Sequence, residues 1–268
     1  VIKNCIISNF SSAISAENAI NLAFISITIY NVTDYGIFVN ASINTNLSKI
    51  SISESRPSAI AIAGANLTGV YLLNVTNGNF SDISIQKLFA GNTSVTSQPG
   101  GSVVGISYQV SQNSNFTNIY IGNLFPGRGI ATQTAALFGH SGNATGIFGS
   151  NFNSTVFQNI SIHNLLGSQG SRGRNSGTGG DGSEGSNIFG FYASNAVNST
   201  ISNLTISNLS SGIGGNGGTG SVGAGGAGGA AGYVFGIYFQ NSFNNSVKST
   251  TILNLTGGTA GSGGGGTT

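Results

Sequence analysis

Carboxylates and histidines are the side chains best suited to acid–base or metal chemistry, and this chain of 268 residues contains few of them. Glycoside hydrolysis needs two carboxyl groups about 5–10 Å apart, and two separated histidines without nearby acids do not form a metal site. The complete set is Glu17, Asp34, Glu54, Asp82, Asp181, Glu184, His140 and His163. Their scatter predicts no catalytic residue, no metal ligand and no cofactor, and therefore a protein that is not an enzyme.

Charge is sparse throughout the chain. Charged residues make up 5% of the sequence, with 8 basic and 6 acidic side chains, against about 25% in an ordinary soluble domain. Nucleic-acid binding needs Lys and Arg clustered on one face, and a membrane helix needs roughly 18 or more continuous apolar residues. Neither pattern occurs, so we expect no nucleic-acid partner and no membrane insertion.

A repeated unit specifies the elements that must position any site. Each copy begins at a glycine and ends 18 positions later, and the copies start at Gly36, Gly69, Gly105, Gly146, Gly190 and Gly236. The connections between copies vary in length. A fixed unit with insertions at one point is typical of a solenoid, in which loops leave from one edge.

Within each unit, apolar and polar residues alternate with a period of two, which predicts β-strand. Stacking the units places Ile27, Ile50, Ile83, Ile119 and Ile160 in one column. We therefore predict an all-β protein: a right-handed, single-stranded parallel β-helix of about eight coils, each with three short strands. One domain spans residues 1–268, and both chain ends suggest a fragment of a longer repeat protein.

The same stacking pairs some of the rare charges. Lys49 lies one coil from Asp82, and Glu54 lies one coil from Lys87. Opposite charges on neighbouring strands attract each other. We expect two salt bridges on the outer surface.

Three glycine-rich insertions follow a period of their own, at about 167–187, 212–232 and 257–268. Glycine recurs at every third position from Gly214 to Gly232, which is the period of a polyproline-II-type helix. Collagen is excluded because the chain has 3 prolines. The insertions are either an ordered polyglycine-II-like layer or flexible linkers, and both alternatives give an uncharged surface.

An aromatic column lies two residues after most of the starting glycines. Its members are Phe38, Tyr71, Phe148, Tyr192 and Tyr238, and serine replaces the ring at Ser15 and Ser107. Apolar neighbours on both sides should face the core, so the rings should form a stripe on the outer face. The stripe is a candidate ligand-binding surface that stacks on sugar rings; the alternative is that it packs beneath the insertions.

Asparagine is placed for two different roles. Asn-X-Ser/Thr occurs 17 times, and the sequons best placed to accept glycans are those in the insertions, at Asn66, Asn92 and Asn143. Asparagines at the turns, such as Asn44, Asn77 and Asn113, are better explained as side-chain hydrogen-bond ladders. The chain is therefore a possible glycoprotein.

Repeats such as Asn115-Phe-Thr-Asn-Ile-Tyr-Ile-Gly-Asn-Leu124, combined with glycine-rich insertions and few charges, resemble bacterial cell-surface β-helix proteins. The autotransporter and adhesin passenger domains are the nearest group. The resemblance covers most of the chain, is architectural and transfers no functional residue. It implies an extracellular or surface-displayed location and a structural or adhesive role.

Three hypotheses for the function follow. The first is a non-enzymatic stalk, adhesin or filament subunit, whose partners are further copies of itself, joined end to end, or a host surface. The second is a fragment of a polysaccharide-degrading β-helix enzyme whose catalytic coils lie elsewhere. The third is a carbohydrate- or ice-binding surface.

Overall fold

The computed structural model describes residues 1–57, 64–93, 98–129 and 140–266, and these residues form two parallel β-sheets. The eight-stranded sheet contains, in spatial order, β1 (Ile2–Ser8), β3 (Ala23–Tyr30), β5 (Asn46–Ser55), β7 (Asn79–Phe89), β9 (Asn115–Phe125), β11 (Val156–Leu166), β13 (Thr200–Ser210) and β15 (Ser246–Thr256). The seven-stranded sheet contains β2 (Ser12–Glu17), β4 (Tyr35–Ile43), β6 (Leu67–Thr76), β8 (Val103–Gln109), β10 (Ala144–Ser150), β12 (Ile188–Ser194) and β14 (Val234–Gln240). No helix long and apolar enough to cross a membrane occurs among these residues.

Successive strands alternate between the two sheets, and every strand pairs in parallel with the equivalent strand one coil away. In the eight-stranded sheet, Ile27 is in register with Ile50, Ile50 with Ile83, and Ile83 with Ile119. This column is buried between the sheets. The prediction of an all-β parallel solenoid is confirmed.

The corners of each coil are made by residues in the left-handed conformation. Among the residues that the structure describes, thirty non-glycine residues have positive φ, and 21 of them are asparagine. In the coil that contains β13 they are Asn195, Asn198, Asn203 and Asn208. Asparagine tolerates this conformation better than most residues because its short polar side chain forms local hydrogen bonds. These residues bend the chain without interrupting the strand pairing. Where the sequence suggested three short strands, each coil has two strands, and neighbouring coils share a further single-residue bridge between them, as at Asn153 and Val197.

Asparagine side chains also connect the coils. The Nδ2 of Asn203 donates to Oδ1 of Asn159 at 2.7 Å, and Nδ2 of Asn159 donates to Oδ1 of Asn118 at 3.0 Å. A second ladder runs from Asn77 through Asn44 to Asn21, with distances of 3.3 and 2.9 Å. The amide ladders expected at Asn44 and Asn77 are therefore present.

One of the two expected salt bridges forms. Lys87 Nζ lies 2.9 Å from Glu54 Oε1, and both side chains are exposed. The hydrogen bond and the charge of Lys87 lower the pKa of Glu54. Lys49 shares its column with Asp82 but makes no ion pair with it, since Asp82 Oδ1 instead accepts a hydrogen bond from Asn118 Nδ2 at 2.9 Å. The expectation for Lys49 and Asp82 is wrong, and the observed partner of the carboxylate is the asparagine ladder.

The glycine-rich segments 167–187, 211–233 and 257–266 lie side by side, and we call them the glycine layer; residues 267–268 of the last insertion lie outside the described residues. Gly170 N–H donates to the Ile213 carbonyl at 2.8 Å, Gly215 N–H to the Ser183 carbonyl at 2.8 Å, and Gly229 N–H to the Gly215 carbonyl at 2.7 Å. The backbones of neighbouring segments are thus hydrogen-bonded in two directions. This bonding favours an ordered layer over flexible linkers.

Close packing explains why glycine occupies the inner positions of the layer. A Cβ on Gly215 would lie 1.9 Å from the carbonyl oxygen of Ser171, and one on Gly229 would lie 2.0 Å from that of Ser183. Every third residue instead faces outward and is exposed, as at Ile213, Asn216 and Thr219. The layer therefore presents a side chain at each of these outward positions, and Arg174 and Ser221 are further exposed side chains outside the period.

Candidate functional site

The aromatic stripe lies on the outer face of the seven-stranded sheet. Phe38 is in register with Tyr71, Tyr71 with Ser107, Ser107 with Phe148, Phe148 with Tyr192, and Tyr192 with Tyr238. The five rings are half-buried, whereas the residues before them in β4, β6 and β10 (Ile37, Val70 and Ile147) are fully buried. The outward orientation expected from the sequence is the one observed.

Within the stripe, the rings stack face to face along the column. The ring centroids of Phe38 and Tyr71 lie 5.5 Å apart. The ring centroid of Tyr192 lies 5.3 Å from that of Phe148 and 5.3 Å from that of Tyr238. Near-parallel stacking follows from the strand register, since neighbouring strands lie about 4.8 Å apart. The ring faces of the stripe are therefore directed along the solenoid axis, toward the rings of neighbouring coils.

A second aromatic column, which the sequence pattern did not predict, lies beside the first. Tyr35, Phe189 and Phe235 directly precede the starting glycines. The centroid of Phe189 lies 5.3 Å from Tyr192 and 5.4 Å from Phe235. If side chains alternated strictly between the outer face and the core, and Phe38 faced outward, the Tyr35 side chain would point into the core. The signal was missed because Gly36 breaks the alternation: it is buried, and a Cβ there would lie 2.5 Å from the carbonyl oxygen of Gly69.

The rings form two clusters separated by a hollow. Tyr35, Phe38 and Tyr71 form the N-terminal cluster, with all three centroid distances equal to 5.5 Å. The C-terminal cluster contains Phe148, Phe189, Tyr192, Phe235 and Tyr238. The hollow between them has a volume of about 310 Å³, and Tyr71 and Phe148 lie on its two sides. Tyr35, Val104 and five polar residues complete its lining; the polar residues are Asn66, Thr68, Ser102, Ser107 and Gln109.

The N-terminal cluster lies beside a carboxylate. Asp34 directly precedes Tyr35, and partial burial raises the pKa of its carboxyl group. Burial also raises the pKa of the Tyr35 hydroxyl, and the charges of Asp34 and Tyr71 raise it further. The electrostatic environment here is negative, which disfavours an anionic ligand.

The three sequons singled out as glycan acceptors occupy a common structural position. The Oδ1 atoms of Asn66, Asn92 and Asn143 accept the backbone N–H of Ser102, Arg128 and Asn187 at 2.7, 2.8 and 3.1 Å. Each side chain therefore bridges to the following coil through its oxygen. The nitrogen that a glycan would modify takes no part in these bonds, and glycosylation at these sites remains a prediction.

The structure brings one histidine and one acid together, where the sequence suggested histidines without nearby acids, and it places the other histidine on a different surface. His140 Nδ1 lies 3.4 Å from Glu184 Oε2, with both side chains exposed. His163 bridges Ser161 and Ser207 on the outer face of the eight-stranded sheet, with both distances equal to 2.6 Å, and burial lowers its pKa. Over the part of the chain that the structure describes, no group of three or more His, Cys, Asp or Glu side chains could hold a metal ion.

Comparison with known proteins gives likenesses to solved structures only. No family model matches the sequence, and no curated protein matches it. Alginate lyase from Paenibacillus sp. str. FPU-7 is 10% identical over 92% of each chain, with a TM-score of 0.21. The catalytic domain of a GH87 α-1,3-glucanase in complex with tetrasaccharides is 12% identical over 95% of this chain and 61% of that one, with a TM-score of 0.20. The receptor-binding domain of the siphovirus 9NA tailspike is 10% identical over 97% of this chain and 73% of that one, with a TM-score of 0.13.

These likenesses correct one expectation and leave another without support. The expectation that the chain is not an enzyme is wrong as it stands, because similar solved structures include a lyase and a glucanase catalytic domain. The rarity of carboxylates and histidines therefore does not exclude catalysis. TM-scores this low carry no argument for a particular activity. The parallel solenoid part of the resemblance to cell-surface β-helix proteins holds, whereas no family match supports the autotransporter or adhesin type.

Proposed function

We propose that this chain is an adhesive β-solenoid of the cell surface or extracellular space that binds saccharides through the aromatic stripe. The observation that carries the proposal is the register of five half-exposed rings on one outer face. The face of an aromatic ring is electronegative, and it attracts the weakly positive C–H groups on the flat side of a sugar ring. Where the rings stack on one another, a ligand on the outer surface meets their electropositive edges, which offer repeated contacts to the hydroxyl oxygens of successive sugars. Ring faces are open only where the stack is interrupted.

The packing of the glycine layer supports this role for the stripe. Its inner glycines lie against the backbones of neighbouring layer segments, as Gly215 does against Ser171. The stripe rings stack mainly on one another, as Tyr192 does on Phe148 and Tyr238. Their exposed portions are therefore available to a ligand, and this favours binding over the alternative in which the rings pack under the insertions.

The scaffold suits an exposed, extended location. Asparagine ladders and the glycine layer link each coil to the next by hydrogen bonds that need no charged side chain. The chain carries 17 sequons, which fits a protein that passes through a secretory route. End-to-end association of copies is a separate proposal, tested by imaging the purified protein for filaments.

Glycan binding is tested by screening the purified protein on an array of neutral and acidic oligosaccharides, followed by calorimetry with the best ligand. Tyr192→Ala and Tyr238→Ala should each weaken binding by about tenfold, equivalent to ~1.4 kcal/mol. Tyr30→Ala is the matched control, because Tyr30 is a partly exposed tyrosine on the opposite sheet. Equal affinity for all four proteins, or an empty array, would overturn the proposal. Chain-length analysis of the bound glycan reports whether cleavage accompanies binding.

A further inference from the structure

The stripe has one internal gap, and a ring lies on each side of it. Ser107 of β8 pairs with Tyr71 of β6 on one side and with Phe148 of β10 on the other. We propose that this gap is a subsite that takes a single neutral pyranose ring between the Tyr71 and Phe148 side chains. The inference rests on the proposed function and deepens it, since it names the position and the ligand class.

The width of the gap matches a saturated ring. Tyr71 and Phe148 are two strands apart, which places their side chains about 9.6 Å from each other. A flat aromatic ligand in contact with both faces would span only about 7–8 Å. A pyranose is puckered and carries hydrogens on both faces, so it is thicker and fills the space more completely. The volume of about 310 Å³ lies at the small end of ligand sites.

The lining of the gap supplies polar groups beside the apolar side chain of Val104, and the hydroxyls of a sugar edge need such groups. Ser107 is 3% exposed, and its Oγ accepts a hydrogen bond from Gln109 Nε2 at 2.8 Å. Thr68 and Ser102 complete the polar wall. Ring faces on two sides with hydroxyl and amide groups below match the two apolar faces and the polar rim of a pyranose.

The charge of the lining residues determines whether the gap prefers neutral or acidic sugars. Among the residues that the structure describes, no charged side chain lines the gap, and Asp34 is the nearest acid in sequence to a lining residue, Tyr35. A uronic acid or a sulfated sugar would lack a cationic partner among these lining residues. The gap therefore favours a neutral sugar.

The other serine in the column provides an internal comparison. Ser15 of β2 pairs with Phe38 of β4, and β2 lies at the edge of the sheet. Ser15 is exposed, and within the described sheet a ring flanks it on one side only. A ring introduced at Ser15 would lengthen the stripe, whereas a ring introduced at Ser107 would fill the gap.

This contrast defines the experiment, which is calorimetry with neutral methyl pyranosides on the whole chain. Ser107→Tyr should lower affinity about tenfold or more, because the new ring occupies the sugar's place. Ser15→Tyr, which lies outside the gap, should stay within about twofold of the wild type, whereas Ser107→Ala, which removes one hydroxyl without filling the gap, should weaken binding less than Ser107→Tyr does. Tyr71→Ala, which removes one wall of the gap without filling it, should also weaken binding. This variant tests the proposal even if Ser107→Tyr fails to fold. Circular dichroism and thermal melting verify each variant.

A fluorescent reporter locates the ligand independently. The chain contains no tryptophan, so Phe148→Trp places a single indole on the wall of the gap. Its emission should shift when a pyranoside binds. Tyr30→Trp, on the opposite sheet, should not respond to the same pyranoside. Equal responses from the two reporters would contradict a site at Ser107.

The outcomes separate this inference from the function on which it rests. Full glycan binding by Ser107→Tyr, together with losses in Tyr192→Ala and Tyr238→Ala, would overturn the subsite and leave the stripe intact. Loss of glycan binding in Ser107→Tyr, with normal binding in Tyr192→Ala and Tyr238→Ala, would support the subsite and contradict a role for those two rings. Tighter binding of indole or of methyl glucuronide than of any neutral pyranoside would overturn the ligand class.

Discussion

Asn203 donates its side-chain amide to Asn159 one coil away, across 2.7 Å, and both residues have a left-handed backbone. One side chain thus serves two purposes: it tolerates the corner and it links two coils. The corners and the ladders are the same residues, so a substitution at either position affects both the backbone and the hydrogen bonding.

Two substitutions of Asn159 separate these purposes. Asn159→Gly keeps the left-handed corner but loses two ladder bonds, and should cost about 1 kcal/mol of unfolding free energy. Asn159→Ala loses the bonds and also strains the backbone, and should cost about 2 kcal/mol or more. Urea unfolding measures both values. If alanine and glycine were equally destabilising, the corner conformation would not contribute.

Packing in the glycine layer predicts sharp differences between glycines. Gly215→Ala would place a methyl group 1.9 Å from the Ser171 carbonyl oxygen, whereas Gly177→Ala meets nothing within 4 Å. The first should destabilise the layer by about 1–3 kcal/mol and speed amide exchange in segments 167–187 and 211–233. The second should leave exchange unchanged. Hydrogen exchange with mass spectrometry makes the comparison, and similar protection in both variants would contradict an ordered layer.

His163 predicts a pH dependence of stability. Burial lowers the pKa of His163 from its ordinary value of 6.5, so the unfolded chain binds a proton more readily than the folded one. Stability contributed by this group is present above about pH 6.5 and is lost as the pH falls below it. Melting temperatures at about pH 7.5 and 5.5 should differ more for the wild type than for His163→Gln. The same difference in both proteins would exclude His163 as the cause.

The sequons divide into two structural classes with different expected occupancy. Asn66 and Asn143 use only Oδ1 in bonds to the next coil, whereas Asn159 and Asn203 donate through Nδ2 inside a ladder. A glycan on a ladder nitrogen would have to fit between side chains about 4.8 Å apart. In a glycosylating secretory host we expect glycans at Asn66, Asn92 or Asn143 and none at Asn159 or Asn203. Peptide mass spectrometry decides, and glycans on the ladder sequons would contradict the assignment.

Repetition made the fold predictable from sequence. The fixed spacing between Gly105 and Asn123, repeated along the chain, set the strand register, so Ile83, Ile119 and Ile160 were correctly placed in one buried column. The same spacing placed the stripe rings, from Phe38 to Tyr238, on one outer face. Repeats transmit this information because every copy aligns with the next.

Features that depend on backbone geometry were not predictable. Alternation by two cannot describe β4, where Gly36 and Ile37 are both buried, and this hid the column of Tyr35, Phe189 and Phe235. Column position alone also paired Lys49 with Asp82, although the side chain of Asn118 reaches Asp82 instead. Sequence spacing specifies which residues are neighbours, whereas side-chain geometry decides which neighbours bond.

The period of three in the glycine layer separates the residues that pack inside the layer from those that face solvent. Inner glycines carry the hydrogen bonding, and every third residue, such as Arg172, Asn216 or Thr259, points to solvent. These outward positions form a regular grid, about 9 Å along each segment and about one strand spacing across it. Outward positions whose side chains make no bond to a neighbouring segment can be exchanged without disturbing the scaffold beneath, whereas the Asn216 side chain accepts a hydrogen bond from the Ser262 N–H at 3.0 Å. One solenoid can therefore carry many different surface patterns at the former positions.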